Sequence, residues 1–151
     1  MSTLNLSVAN GGIAVVTLAN PPMNAMNATL LEELANLFEG LAADRSIRAA
    51  VVAADGPAFC AGLDLKTVPS LDRLGQRQLI DALNDGFGTL YAWPKPLVAA
   101  VNGHAIAGGL ILALCADWRI VVADVPMQIS LAEVRVGVTY PVAALEIARA
   151  A

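Results

Sequence analysis

Three short apolar runs, each cut off by a turn signal, constrain this chain more than any other feature. Ile13 to Ala19 is closed by Asn20-Pro21-Pro22, Arg48 to Ala54 by Asp55-Gly56-Pro57, and Leu97 to Val101 by Asn102-Gly103. Runs so short and so continuously apolar read as strands buried on both faces, the habit of parallel sheets. Helical patterns separate them. Leu30, Leu31, Leu34, Leu37, Phe38 and Leu41 fall on one stripe, and Thr29 with Glu32 has the spacing of a capping box. Leu71 to Tyr91 places Leu79, Leu83, Phe87 and Leu90 on a common face and is stopped by Pro94 and Pro96. Ala58 to Pro69 reads as a loop centred on Gly62. Gly108-Gly109 opens an apolar helix to about Ala116, and Arg119 to Ala123 reads as a fourth strand. Strands alternating with helices predict an α/β fold with a parallel sheet and helices packed on it.

The chain has 151 residues, 57% hydrophobic and 15% charged. That is enough for one domain with a full core, and it excludes disorder. A net charge of -4 argues against non-specific binding to nucleic acid or to an anionic membrane. The apolar stretch from Leu97 to Ile111 is too short, and too broken by glycine, to span a bilayer. Met1 to Asn10 lacks the basic-then-apolar pattern of a signal peptide. Cys60 and Cys115, in apolar surroundings, read as reduced thiols of a cytoplasmic protein. With His104 the single histidine, no metal site is expected.

Two stretches carry chemistry: Phe59-Cys60-Ala61-Gly62-Leu63-Asp64-Leu65 and Asn102 to Leu110. Each is a glycine-bearing turn after a buried strand, at the end of the sheet where α/β proteins bind ligands. Alone, either turn reads first as packing or as a phosphate cradle. Neither a GxGxxG nor a GxxxxGK[ST] pattern is present to support a nucleotide. Two backbone N–H groups converging on one oxygen would make an oxyanion hole.

Together the motifs resemble the crotonase superfamily, the enoyl-CoA hydratases and isomerases. Ala58 to Leu65 is similar to that family's first oxyanion-hole signature and Asn102 to Asp117 to its second. Asn20 to Met26 is similar to its N-terminal CoA-contacting turn, and Ala132 to Gly137 to the segment carrying its second acidic residue. The resemblance covers essentially the whole chain, in order. It implies a spiral of β-β-α repeats with the C-terminal helices missing, residues 1–151 being the N-terminal portion of a single, truncated domain. It also implies an acyl-CoA thioester as substrate, with CoA part of the substrate and no other cofactor or metal. A homo-oligomer, trimer or hexamer, is the family expectation where the full domain is present. Carried over residue by residue, the Leu63 and Gly108 backbone N–H groups would hold the thioester carbonyl. Met23, Asn24, Ala25, Ala61, Gly62, Leu63, Asp64, Leu65, Lys66, Gly108 and Gly109 would contact the substrate or its CoA portion, Lys66 through a phosphate.

The hydratases of this family use two glutamates. Counting on from Gly108, the position of the first is Ile111, while Glu133 stands at the second. Glu133 by its local sequence alone reads as a surface glutamate near a helix start; the motif set assigns it as the base. Hydration asks for two positioned groups, whereas moving a double bond along an acyl chain needs one base and a stabilised enolate. The expectation is therefore isomerisation of 3-enoyl-CoA to 2-enoyl-CoA, with Glu133 as catalytic base. The alternatives are a hydratase or another crotonase-type reaction, and a catalytically defective or subunit-binding fragment. Tyr140 is a candidate donor. His104 reads as a packed residue, Cys60 as a small hydrophobe, Asp64 as a loop-orienting side chain, and Asp117 and Arg119 as structural. Pro141 reads as the first residue of a last helix running to Ala151.

Overall fold

The structure, a computed structural model, describes residues 3–133 and 137–151. The three apolar runs are strands β2 (Ile13–Leu18), β3 (Ala49–Ala54) and β5 (Leu97–Val101). They lie in a five-stranded sheet of order β1-β2-β3-β5-β7, with β1 (Leu4–Ala9) and β7 (Trp118–Val121) at its edges. β1 pairs antiparallel with β2; every other pairing in this sheet is parallel.

A second, three-stranded parallel sheet has the order β4-β6-β8, made of Ala58–Cys60, His104–Ile106 and Ile129–Ser130. The stretch from Ala58 to Pro69 is thus more than a loop: it begins with β4 and later makes a 3-10 turn at Val68–Ser70. Strands of two or three residues show no periodicity, so neighbours distant in the chain create them. The chain passes from β3 to β4 through Asp55-Gly56-Pro57 and from β5 to β6 through Asn102-Gly103, and each pair is followed by a helix. This is the β-β-α repeat.

Helix α1 (Ala28–Ala43) buries Leu30, Leu31, Leu34, Phe38 and Leu41, and helix α2 (Arg73–Tyr91) buries Leu79, Leu83, Phe87 and Leu90. Together with Ala14, Val16 and Leu18 of β2 they form one core cluster. Each fully buried Phe or Leu of this set contributes about 1.5–3 kcal/mol. The α1 cap differs from expectation. Asn27, not Thr29, is the N-cap, its Oδ1 accepting from Leu30 N at 2.9 Å, and Thr29 lies inside the helix. Similarly, α2 starts after Asp72, which accepts from Gly75 N at 2.7 Å, rather than at Leu71.

Helix α3 (Gly108–Leu114) is two residues shorter than expected, and the fourth apolar strand is Trp118–Val121 rather than Arg119 to Ala123. Pro141 is the N-cap of the last helix, α4 (Val142–Ala150), rather than its first turn. Proline offers no side-chain acceptor, and the cap comes from elsewhere: Asn84 on α2 accepts the Ala143 N–H at 3.0 Å. Ala144 and Ile147 bury against the core, so α4 packs on α2 and α3. Among the described residues no helix is long and apolar enough to cross a membrane.

Candidate active site

Parallel pairing of β4 with β6 brings the two glycine turns to one end of the small sheet. Three constraints hold them there. Gly62 has φ +82°, and a Cβ on it would lie 2.8 Å from Ile106 O and 3.3 Å from Gly108 N. A Cβ on Gly109 would overlap the Cys60 carbonyl. Met26 bridges to Leu63 in parallel fashion, donating to Gly62 O at 2.7 Å and accepting from Asp64 N at 2.9 Å. In such a bridge the flanking residues take both hydrogen bonds, so Leu63's own N–H and C=O point away from Met26.

The second turn is aimed by Ala107. Its φ of 54° and ψ of -123° form a backbone reversal that is costly for a residue with a Cβ. Hydrogen bonds fix it on both sides. Ala107 N donates to Ser130 O at 2.8 Å, and Ala107 O accepts from Leu110 N and Ile111 N at 2.9 and 3.2 Å. Gly108 N and Gly109 N are then the first amides of α3. Among the described residues neither they nor Leu63 N has an acceptor.

Leu63 and Gly108 line one cavity of about 120 Å³. Its other walls are apolar, chiefly Leu83 and Phe87 of α2, Ile106 and Ala144. Glu133 lies in this wall with only 9% of its surface exposed. Among the described residues it is the one carboxylate lining the cavity. Tyr140 lines the same cavity and donates from its hydroxyl to Glu133 Oε2 at 2.8 Å. Burial, reinforced by the hydrogen bond to and the charge of Glu133, pushes the Tyr140 phenol up to about 12, so it stays protonated as a donor. A larger cavity of about 520 Å³ between α1 and α2 is lined by Glu32, Glu39, Asp81 and Asp85. It contains neither glycine turn and is far less suited to an apolar ligand.

The other residues singled out from sequence separate into two groups. Ala61 and Leu65 join Leu63 and Gly108 on the cavity wall, with Leu65 61% exposed at its rim. Gly62 and Gly109 are buried behind that wall, where they allow the backbones to approach. Met23, Asn24 and Ala25 do not line the cavity, and Met23 braces the first turn from behind. Met23 O accepts from Ala61 N at 3.1 Å. Asn24 is buried, its carboxamide donating to Asp55 O and Ala58 O and accepting from Asn20 N, so both its N–H donors are spent within the protein. Asp64 Oδ1 accepts from Lys66 N at 3.0 Å, and Lys66 itself is exposed.

Ile111 is fully buried one turn into α3 and outside the cavity lining. His104 Nδ1 accepts from Gln128 N at 2.9 Å, Asp117 accepts from Leu97 N, and Arg119 donates to Ala116 O. The Cys60 and Cys115 thiols are both raised by burial to about 12, which makes them inert. Of the segment Ala132 to Gly137, residues 134–136 lie outside the described residues. No signal in the sequence pointed to Asn84, because its role depends on a helix docking from 59 positions away.

Comparison with known proteins accords with this geometry. The sequence profile of the enoyl-CoA hydratase/isomerase family matches residues 8–149. Mitochondrial enoyl-CoA delta isomerase 1 of Mus musculus is 34% identical over 131 residues, covering 86% of this chain and 45% of that protein. The 2,3-dehydroadipyl-CoA hydratase of Escherichia coli is 36% identical over 131 residues, covering 83% of this chain and 48% of the relative. The crystal structure of an enoyl-CoA hydratase/carnithine racemase from Magnetospirillum magneticum superposes with a TM-score of 0.88 at 30% identity, covering 99% of this chain and 57% of that one. The chain thus spans about half the length of the curated relatives it matches. With both glycine turns, the β-β-α repeat and the matched profile in hand, the chain belongs to the enoyl-CoA hydratase/isomerase family.

Proposed function

We propose that this site acts on acyl-CoA thioesters and moves a 3-enoyl double bond to the 2-position. The observation that carries the reading is the lone carboxylate: Glu133 shares an apolar cavity with the Leu63 and Gly108 amides, and the family resemblance puts Ile111 where a hydratase would have a second glutamate. Relatives named as hydratases and as delta isomerases match the chain to similar extents, so the choice between reactions rests on these side chains.

The thioester oxygen accepts from Leu63 N–H and Gly108 N–H. Glu133 takes a proton from C2, and the C–H electron pair flows toward the carbonyl to give a dienolate whose charge the two amides hold. The same carboxyl group, now protonated, returns the proton to C4 as the C2–C3 double bond forms. One base serves both transfers, and nothing is consumed. CoA enters with the substrate, and the reaction calls for no metal or redox group. Ala61 to Lys66 is the segment we assign to the CoA portion, with Lys66 toward a phosphate. Met23 supports that segment from behind through its carbonyl on Ala61 N, and Asn24 ties down the strand before it through Asp55 O and Ala58 O.

The test is Glu133→Gln assayed with a 3-enoyl-CoA. Isomerisation should fall by roughly 10²–10⁴-fold, the range for losing a general base, with thioester binding retained. An unchanged rate would sink the assignment, and hydration of 2-enoyl-CoA without isomerisation would replace it with a hydratase reading.

A second reading follows from β7. It is a sheet edge with Trp118 73% and Ile120 66% exposed. Such an edge is suited to pairing with another polypeptide, which favours a chain working within a homo-oligomer or a larger assembly. Light scattering on the purified chain reads this directly.

A further inference from the structure

We propose that Tyr140 is the positioning residue of Glu133, its hydroxyl pinning one carboxylate oxygen so that the other faces the ligand. This rests on the reading of Glu133 as the base and adds to it the group that aims it.

A carboxylate on a glutamate side chain has free rotation about its last bond, and only one of its oxygens can take a given proton. Tyr140 removes that freedom. Its hydroxyl donates to Oε2 at 2.8 Å, while Oε1 has no partner among the described residues. Oε1 is not a stranded buried atom either: Asn102 Oδ1 is the one described buried side-chain polar atom without a partner. The pair sits in a cavity whose remaining walls carry no other titratable side chain among the described residues. Among the described residues no second ionisable group competes for the tyrosine proton or for the second oxygen.

The phenol is itself well held. Val138 N, two residues before it, donates to Glu133 O at 3.1 Å. Pro141 follows Tyr140 directly and restricts it to extended conformations. Beyond it, α4 is locked by Asn84 and by the burial of Ala144 and Ile147. Tyr140 is thus delivered to Glu133 by a docked helix. Because the phenol keeps its proton well past neutrality, it acts as a fixed donor and not as a second base.

Two measurements test this. In the first, Tyr140→Phe keeps the ring and removes the hydroxyl. We expect kcat for isomerisation to fall by about 10–100-fold, as for a misaimed catalytic group, with KM changed by less than about threefold. In a Glu133→Gln background the same substitution should have no further effect. A full kcat in Tyr140→Phe, or an equal loss in both backgrounds, would overturn the proposal.

The second measurement does not depend on activity. In protein labelled with ¹³Cζ-tyrosine, the Tyr140 resonance, assigned through Tyr140→Phe, should remain that of the neutral phenol at about pH 10.5, above the ordinary tyrosine range. Its ionisation midpoint should drop in Glu133→Gln. An unmoved midpoint means the pair does not form, and the proposal fails whatever the enzyme does. Isomerisation retained in Glu133→Gln with the midpoint lowered removes the base instead. That outcome overturns the proposed function, and with it the positioning role, while leaving the hydrogen bond in place.

Discussion

Gly62 and Gly108 face each other so closely that a Cβ on Gly62 would lie 3.3 Å from the Gly108 nitrogen and 2.8 Å from Ile106 O. The same nitrogen is one of the two amides assigned to the thioester oxygen. Gly62→Ala therefore strikes stability and function together. The positive φ of 82° costs a side-chain-bearing residue about 1–3 kcal/mol, and forcing a methyl group against backbone adds about as much again. Urea unfolding should show a loss of roughly 2–6 kcal/mol. Isomerisation should fall beyond the folded fraction lost, because the methyl group can fit only if the Ile106–Gly108 turn moves. A variant that keeps wild-type stability would mean the two turns are further apart than described.

Asn84 holds α4 from outside that helix. Its Oδ1 accepts the Ala143 N–H at 3.0 Å, doing the work that Pro141, at the N-cap, cannot do. Losing an N-cap acceptor costs about 1 kcal/mol, so Asn84→Ala should lower Tm by roughly 2–4 °C for a chain of this size. The loss of isomerisation should be larger than that stability change explains, since Tyr140 is attached to the start of α4. Asn84→Asp keeps an acceptor and should recover both. Failure of the aspartate to rescue would show that the carboxamide acts through some other contact.

The parts of the fold legible in the sequence are those whose information is local. β3 and β5 are apolar over their whole length and β2 in all but Thr17, each is stopped by proline, glycine or asparagine, and the structure places strands there. β4, β6 and β8 span two or three residues each, and only their mutual pairing makes them strands. The capping error has a similar root. Thr29 and Glu32 have a permitted spacing, but Asn27 reaches the Leu30 amide two residues earlier, and spacing alone does not rank the two. At the site, the glycines of both turns were readable because glycine advertises close approach. The pairing of Glu133 with Tyr140 was not, because it depends on where α4 docks, and that in turn depends on an asparagine on α2.

Alkaline pH should uncover the two buried thiols. Cys60 and Cys115 are each raised from 9.0 to about 12, in both cases by burial. Above pH 9 the unfolded chain gives up these protons while the folded chain keeps them. The stabilisation is therefore complete below pH 9 and is lost as pH rises from 9 towards 12, at about 1 kcal/mol per pH unit for each thiol. Unfolding free energies of the wild type and of a Cys60→Ala, Cys115→Ala double variant, measured across that window, should differ by a gap that changes steadily with pH and is constant below it. Native protein should also leave Ellman's reagent unconsumed near neutrality until denaturant is added. Rapid reaction without denaturant that is lost in Cys60→Ala would show that the first turn opens far enough to expose Cys60.

The two tryptophans report on opposite environments. Trp93 is 8% exposed, donates from Nε1 to Phe38 O at 3.1 Å and meets the Phe38 ring edge-on at 5.4 Å. Trp118, on the β7 edge, is 73% exposed. Trp93→Phe leaves Trp118 as sole emitter, and its fluorescence should be red-shifted and strongly quenched by iodide. Trp118→Phe should leave a blue-shifted, poorly quenched signal. The informative variable is concentration. If copies associate through β7, quenching in the Trp93→Phe variant should weaken as the protein is concentrated, because pairing at a sheet edge covers the indole. Quenching that is strong at every concentration would leave that edge open to solvent and turn the oligomerisation reading away from β7. Poor quenching even at high dilution would mean that the edge is covered in solution by a contact tighter than any the isolated chain displays.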